Sequence, residues 1–372
     1  MKRVIFAVLT VLLTCCGTKT TQSGLNPEKF KANVNGSETE LYRLYNDNGM
    51  EVCLTNYGAR IVSVMVPDRE GVMRDVVLGF DNINDYVNTD NNFGAVVGRY
   101  ANRIDKGRFS IDGIDYQLPI NNFGHCLHGG INGWDRKVWE GNQVGHNEVT
   151  FTYLSPDGDE NFPGNVTAKV KYVLTDDNEI KISYSATTDK PTIVNMSNHS
   201  YFNLSGDPST DILDHILTIN ADNFTPIDST FMTFNEIRKV DSTSFDFSKP
   251  KAIGRDIDEN DVQLRNGLGY DHNFVLNNNR NISILALSAM CPATGITLEI
   301  YTDAPGIQFY SGNFLDGTLK GKKDIVYNKR SAFAAETQYY PNSPNSIDWP
   351  SPVLRPKDTY THNAIFKFSV TD

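Results

Sequence analysis

The chain has 372 residues, of which 39% are hydrophobic and 21% charged, with 28 glycines. Such a composition belongs to an ordinary folded protein and excludes collagen-like and disordered chains. The net charge of −11 repels a polyanion and no Lys/Arg-rich stripe offsets it, so nucleic acid is not an expected partner.

At the N-terminus, Lys2 and Arg3 precede an apolar run over residues 4–13 that ends at Thr14-Cys15-Cys16-Gly17. The run is about half the length a bilayer span needs and a polar stretch follows at once, so it reads as an export signal, not a transmembrane helix. The cysteines at its end resemble the lipobox of bacterial lipoproteins. Cys16, followed by Gly17, is the lipidation candidate; Cys15 is the alternative frame, and a plain secretory peptide is the remaining reading. The expectation is an exported protein at the periplasm or cell surface that meets the membrane only through a lipid anchor. Residues 1–16 are then the signal peptide, 17–35 a polar tether with Gly24 and Pro27, and 36–372 one domain. Cys53, Cys126 and Cys291 lie far apart, and their odd number implies no disulfide framework.

From residue 41 onward the recurring signal has period two. Val166, Ala168, Val170, Tyr172 and Leu174 alternate with polar or small residues, as do Ile180, Ile182, Tyr184 and Ala186 after the turn Asp176-Asp177-Asn178. That pattern predicts a hairpin. Similar runs occur near 51–54, 61–66, 149–154, 296–301, 307–310 and 364–370, and no dozen-residue stretch has convincing helical periodicity. Many short strands separated by Gly, Asn, Asp and Pro predict an all-β fold of antiparallel sheets, a sandwich or barrel, in one large domain.

Three segments concentrate polar groups among apolar ones: GRYANR at 98–103, CLHGG at 126–130 and NMSNHSYFNLSG at 195–206. A fourth, Glu336-Thr337-Gln338, follows Ala332-Phe333-Ala334-Ala335. An acid directly after a small apolar run fits a strand end where the core meets a cleft, and desolvation there raises a carboxyl pKa toward that of a useful base. The same segment also fits a solvent-facing edge strand. His199 stands among Asn195, Asn198, Ser200, Tyr201 and Asn203, a lining suited to sugar hydroxyls, although such a His is also common in structural loops. His125-Cys126-Leu127-His128 lacks a second ligand pair, and the Asp157/Asp159/Asn161 stretch lacks both the turn Gly and the closing Glu of a calcium loop; no metal is predicted. There is no GxSxG, P-loop or GxGxxG followed by a helix.

Taken in order, GRYANRIDKG (98–107), HCLHGG (125–130), NHSYFNLSG (198–206), ADNFTPID (221–228), GYDHNFVL (269–276), PGIQFYSGNF (305–314), ETQYYPNSPN (336–345) and PSPVLRP (350–356) resemble the galactose mutarotase, or aldose 1-epimerase, family. The resemblance spans the whole mature domain. It implies a large twisted antiparallel β-sandwich and an enzyme that interconverts hexose anomers without cofactor or metal. It also implies that Glu336 is the general base and His199 the general acid. Asn102, Arg103, His128, Ser200, Tyr201, Asp271 and Gln308 become the other expected sugar contacts, with Asp271 a charge that could keep His199 protonated. The sequence departs from the family pattern at His125-Cys126 and at Phe234-Asn235, which bears on substrate preference.

Tyr201, Trp134 and Phe309 are candidates for a stacking platform, or else core residues. Three other readings remain: a non-catalytic carbohydrate-binding protein, a glycoside hydrolase using Glu336 with Asp271, and a hexose-phosphate epimerase using Arg99 and Arg103.

Overall fold

The computed structural model describes residues 21–371. The expected signal peptide and Cys16 lie outside the described residues. Among the described residues every strand pairing is antiparallel, and the predicted hairpin forms with Val166–Leu174 against Glu179–Thr188 and Leu174 opposite Ile180. Its turn includes Asn178 at φ 59°, a conformation that Asn tolerates better than most residues.

That hairpin belongs to a nine-stranded sheet whose spatial order runs from Glu140–Val144 through Tyr360–Val370 to Lys251–Ala252. Two smaller sheets cover its inner face. A four-stranded sheet of Leu41–Tyr45, Glu51–Thr55, Arg60–Pro67 and Met73–Asp75 packs one half, with Tyr42 edge-on to Phe151 at 5.2 Å. A six-stranded sheet packs the other half, with Phe202 edge-on to Phe366 at 5.6 Å. One buried apolar cluster runs through all three sheets, including Leu54, Tyr172, Leu298, Phe309 and Phe366. This is the expected all-β sandwich. Alternation supplies it, since successive side chains on a strand point to opposite faces.

The tether expected over 17–35 is corrected by the structure, because the chain is packed from residue 21. Leu25 and Phe30 are buried, Pro27–Phe30 forms a 3-10 turn capped by Asn26, and the Gln22 amide donates to Glu51 Oε1 at 2.7 Å. Two isolated apolar residues in a polar stretch gave no periodic signal, yet each fills a socket in a second cluster with Tyr86 and Phe93. Among the described residues, α-helix is confined to the short segments Ile83–Asn88 and Val262–Gly267.

Candidate active site

The six-stranded sheet includes Asp271–Leu276, Gly306–Tyr310 and Phe333–Gln338 as neighbours. Their register sets Asp271 opposite Tyr310, Asn273 opposite Gln308 and Gln308 opposite Glu336. Period-two alternation therefore gathers Asp271, Gln308, Tyr310 and Glu336 on one face, while Phe274, Ile307, Phe309 and Ala335 enter the core from the other. The polar face floors a cleft of about 450 Å³ lined also by Asn102, Arg103, His128, His199, Tyr201 and Phe314. Sequence stretches more than two hundred residues apart thus meet in one place.

His199 ends the strand Ser197–His199, which pairs with Ala95–Val97. Its Nε2 lies 3.4 Å from Glu336 Oε1, and both side chains are almost wholly buried. The ring stacks on Tyr201 at 5.0 Å and meets the edge of His128 at 5.1 Å, so its plane is held from two sides. Asn102 and His128 have φ of 64° and 53° and exchange bonds: the Asn102 amide donates to His128 Nδ1, and the His128 amide donates to the Asn102 carbonyl, both at 3.1 Å. Arg103 donates from Nε and Nη2 to Asn122 Oδ1 at 3.1 and 2.9 Å and lies over the Phe231 ring. Gln308 Nε2 donates to Asp271 Oδ1 at 2.6 Å.

Burial sets the charge states. It pushes the Glu336 carboxyl well above its ordinary range; the nearby Asp271 charge adds to this and Arg103 opposes it. Burial pulls the His199 imidazole down to about 4 and keeps His128 neutral, with His199 and Arg103 acting in the same direction. Asp271 is also raised by burial, against Arg103 and the Gln308 amide. Both directions favour an arrangement with the proton on Glu336 and a neutral imidazole. An ionised Glu336 beside a protonated His199, the arrangement in which the pair would act as base and acid, is disfavoured by burial in the cleft, and the Asp271 charge acts on Glu336. Both arrangements contain the same number of protons, so they differ by one transfer within the pair.

The side chains of His128, His199 and Glu336 place donor atoms within 4.8 Å of one another, the spacing of a metal site. The backbone N–H on His128 Nδ1 forces the ring proton onto Nε2, leaving this imidazole no free lone pair for a metal. The cluster fits hydrogen-bonded recognition instead.

The remaining predicted residues divide. Tyr201 lines the cleft. Gln308 stands behind it, acting on Asp271, and Ser200 turns away to donate to Asn198 Oδ1 at 2.6 Å. Trp134 and Phe309 are core residues, not a platform. Arg99 is spent on the carbonyls of Pro163 and Gly164 and the Ser155 hydroxyl, so it is not a phosphate ligand in the cleft. Sequence reasoning missed Tyr310, whose hydroxyl accepts from the Phe314 amide at 2.8 Å, and Asn122, which holds Arg103. Tyr310 was findable, since it lies two residues beyond Gln308 on the same strand face; Asn122 carried no comparable signal.

A family model described as aldose 1-epimerase matches residues 40–367. The chain is 44% identical over 335 residues to a galactose mutarotase of Rattus norvegicus, covering 90% of this chain and 95% of that one. It is 39% identical over 335 residues to an aldose 1-epimerase of Escherichia coli (strain K12), covering 90% and 96%. Among solved structures, a GalM/aldose epimerase homologue from C. elegans superposes with a TM-score of 0.83 at 32% identity, covering 90% of this chain and all of the other. These matches, covering both the sheets and the polar cleft segments, establish that the chain belongs to the aldose 1-epimerase family.

Proposed function

We propose that the protein interconverts the α and β anomers of a free hexose such as galactose or glucose by opening and reclosing the pyranose ring between Glu336 and His199. The carrying observation is the 3.4 Å approach of His199 Nε2 to Glu336 Oε1 at the floor of a polar cleft. Asp271, Arg103, Asn102 and His128 surround that pair and offer charged and neutral partners to ring hydroxyls.

In the reactive arrangement Glu336 is a carboxylate and His199 an imidazolium. Glu336 takes the C1 hydroxyl proton, the C1–O5 bond breaks and His199 protonates O5, giving the open-chain aldehyde. Rotation about C1–C2 presents the other carbonyl face. On reclosure O5 attacks C1, His199 recovers the O5 proton and Glu336 returns its own to the new hydroxyl oxygen. After ring opening the pair is a carboxylic acid beside a neutral imidazole, the state that burial favours at rest. Burial thus favours the ring-opened proton arrangement, and sugar contacts supply the polar surroundings that move the proton to His199 for the closed ring.

A buried acid–base pair is more than a binding module requires. A hydrolase built on Glu336 and Asp271 would leave His199 without a role, and Asp271 is already held by Gln308. Polarimetry of freshly dissolved α-D-galactose and α-D-glucose tests the reading: the protein accelerates the approach to rotational equilibrium, and failure with both sugars contradicts it.

We also propose export with lipidation at Cys16, supported by Lys2, Arg3 and the short apolar run ahead of Cys15-Cys16-Gly17. Packing from residue 21 leaves five residue steps after Cys16, a reach of about 18 Å, so the domain would be held close to the bilayer. Export places the activity ahead of sugar uptake. Cys16→Ala moves the protein from membrane to soluble fractions; unchanged fractionation contradicts the anchor.

A further inference from the structure

Beyond the cleft, the polar face of the six-stranded sheet continues inward. Thr225 stands opposite Asn273, Asn273 opposite Gln308, Gln308 opposite Glu336, and Gln338 opposite Gly306. Asn273 is 1% exposed, Gln308 3%, Glu336 2%, and Thr225 and Gln338 are fully buried. Among the described residues, both amide atoms of Asn273, both of Gln338, Gln308 Oε1, Glu336 Oε2 and the Thr225 hydroxyl have no hydrogen-bonding partner. A core normally satisfies such groups with protein or ordered water, and seven orphaned atoms along one face demand a shared solution.

Gly306 lets the Asn273 amide and the Tyr340 ring lie close over its backbone, since a Cβ there would stand 2.5 Å from Asn273 Oδ1 and 2.9 Å from the Tyr340 ring. A small cavity of about 10 Å³, the size of roughly one water, touches Gln338. Amide orientations follow from one fixed end. Gln308 presents its NH2 to the Asp271 carboxylate, so its carbonyl must accept from elsewhere.

Building on the assignment of Glu336 as the base, we propose that Asn273 and Gln338 are positioning residues: their unpartnered amides hold ordered water against the inner oxygen of Glu336 and the carbonyl of Gln308. Water donating to Glu336 Oε2 stabilises the carboxylate that the reaction needs, while water donating to Gln308 keeps that amide turned toward Asp271. The other groups facing Glu336 are His199 at 3.4 Å, Asp271 and Arg103 across the face, and Tyr201, Tyr310 and His128 around the cleft. His128 is neutral, burial is the largest influence on Glu336, and the Asp271 and Arg103 charges act in opposite directions, so water on Oε2 works against the burial that holds the carboxyl protonated.

The test uses the near-isosteric Gln338→Met and Asn273→Leu, neither of which touches the sugar. Each removes a water ligand, so kcat falls about tenfold, KM stays within about twofold, and the alkaline limb of the kcat profile moves up by about one pH unit. An unmoved limb in a folded variant, or a rise in KM at unchanged kcat, overturns the proposal. A high-resolution crystal structure of the wild-type protein is the parallel readout that needs no variant to fold. Ordered water within hydrogen-bond reach of Glu336 Oε2 and Gln338 supports the proposal, and direct pairing of those groups with protein overturns it. A wild-type protein without mutarotase activity would sink the catalytic reading, an outcome separable from the crystallographic one.

Discussion

The two faces of the six-stranded sheet are made by the same strands and differ only in which alternate residue points where. One face gives Phe274, Ile307, Phe309, Phe333 and Ala335 to the core. The other carries Asp271, Asn273, Gln308, Glu336 and Gln338, all buried as well. Burial is thus common to both, and what separates them is how each residue is satisfied: the first by contact, the second by hydrogen bonds, charge and water. A protein retains buried, partly unsatisfied polar groups against their cost where they do chemistry.

That contrast makes opposite demands on substitution. On the polar side, His199→Ala lowers kcat by about 10² to 10⁴ while the far-ultraviolet circular dichroism spectrum stays that of the wild type. On the apolar side, Phe309→Ala costs about 3–5 kcal/mol of stability, read by denaturant unfolding, and leaves kcat per folded molecule unchanged. Loss of kcat without loss of stability in the Phe309 variant would contradict the division of faces.

Smaller effects separate groups within the polar face. Gln308→Leu frees Asp271 of its charge-assisted bond and raises KM about tenfold, with kcat much less affected. The pH profile of kcat reads the pair as a unit. Activity needs one proton shared between His199 and Glu336, so it falls at low pH as His199 takes a second proton near its lowered pKa of about 4. It falls again at high pH as Glu336, held above the ordinary carboxyl range, loses the last one. An acid limb at ordinary histidine values, near 6.5, would contradict the burial argument.

The strands were readable because alternation survives in single sequences, as at Val166–Leu174 and Glu179–Thr188. The N-terminal packing was not, since Leu25 and Phe30 act singly and their sockets come from distant strands. Within the site, the resemblance carried over Glu336, His199, Arg103 and Asp271, which meet at the cleft, but it carried Ser200 too, which turns away. Motif membership says which segment approaches a site; the phase of alternation decides which of its side chains arrives. The resting proton position was hidden for another reason: it depends on burial of the assembled pair, which no segment possesses alone.

The most direct test is the polarimetric rate of Glu336→Gln beside the wild type on fresh α-D-galactose, with folding of the variant checked by circular dichroism. The account predicts a folded variant that has lost nearly all of the acceleration. A folded Glu336→Gln protein that mutarotates at the wild-type rate would contradict it.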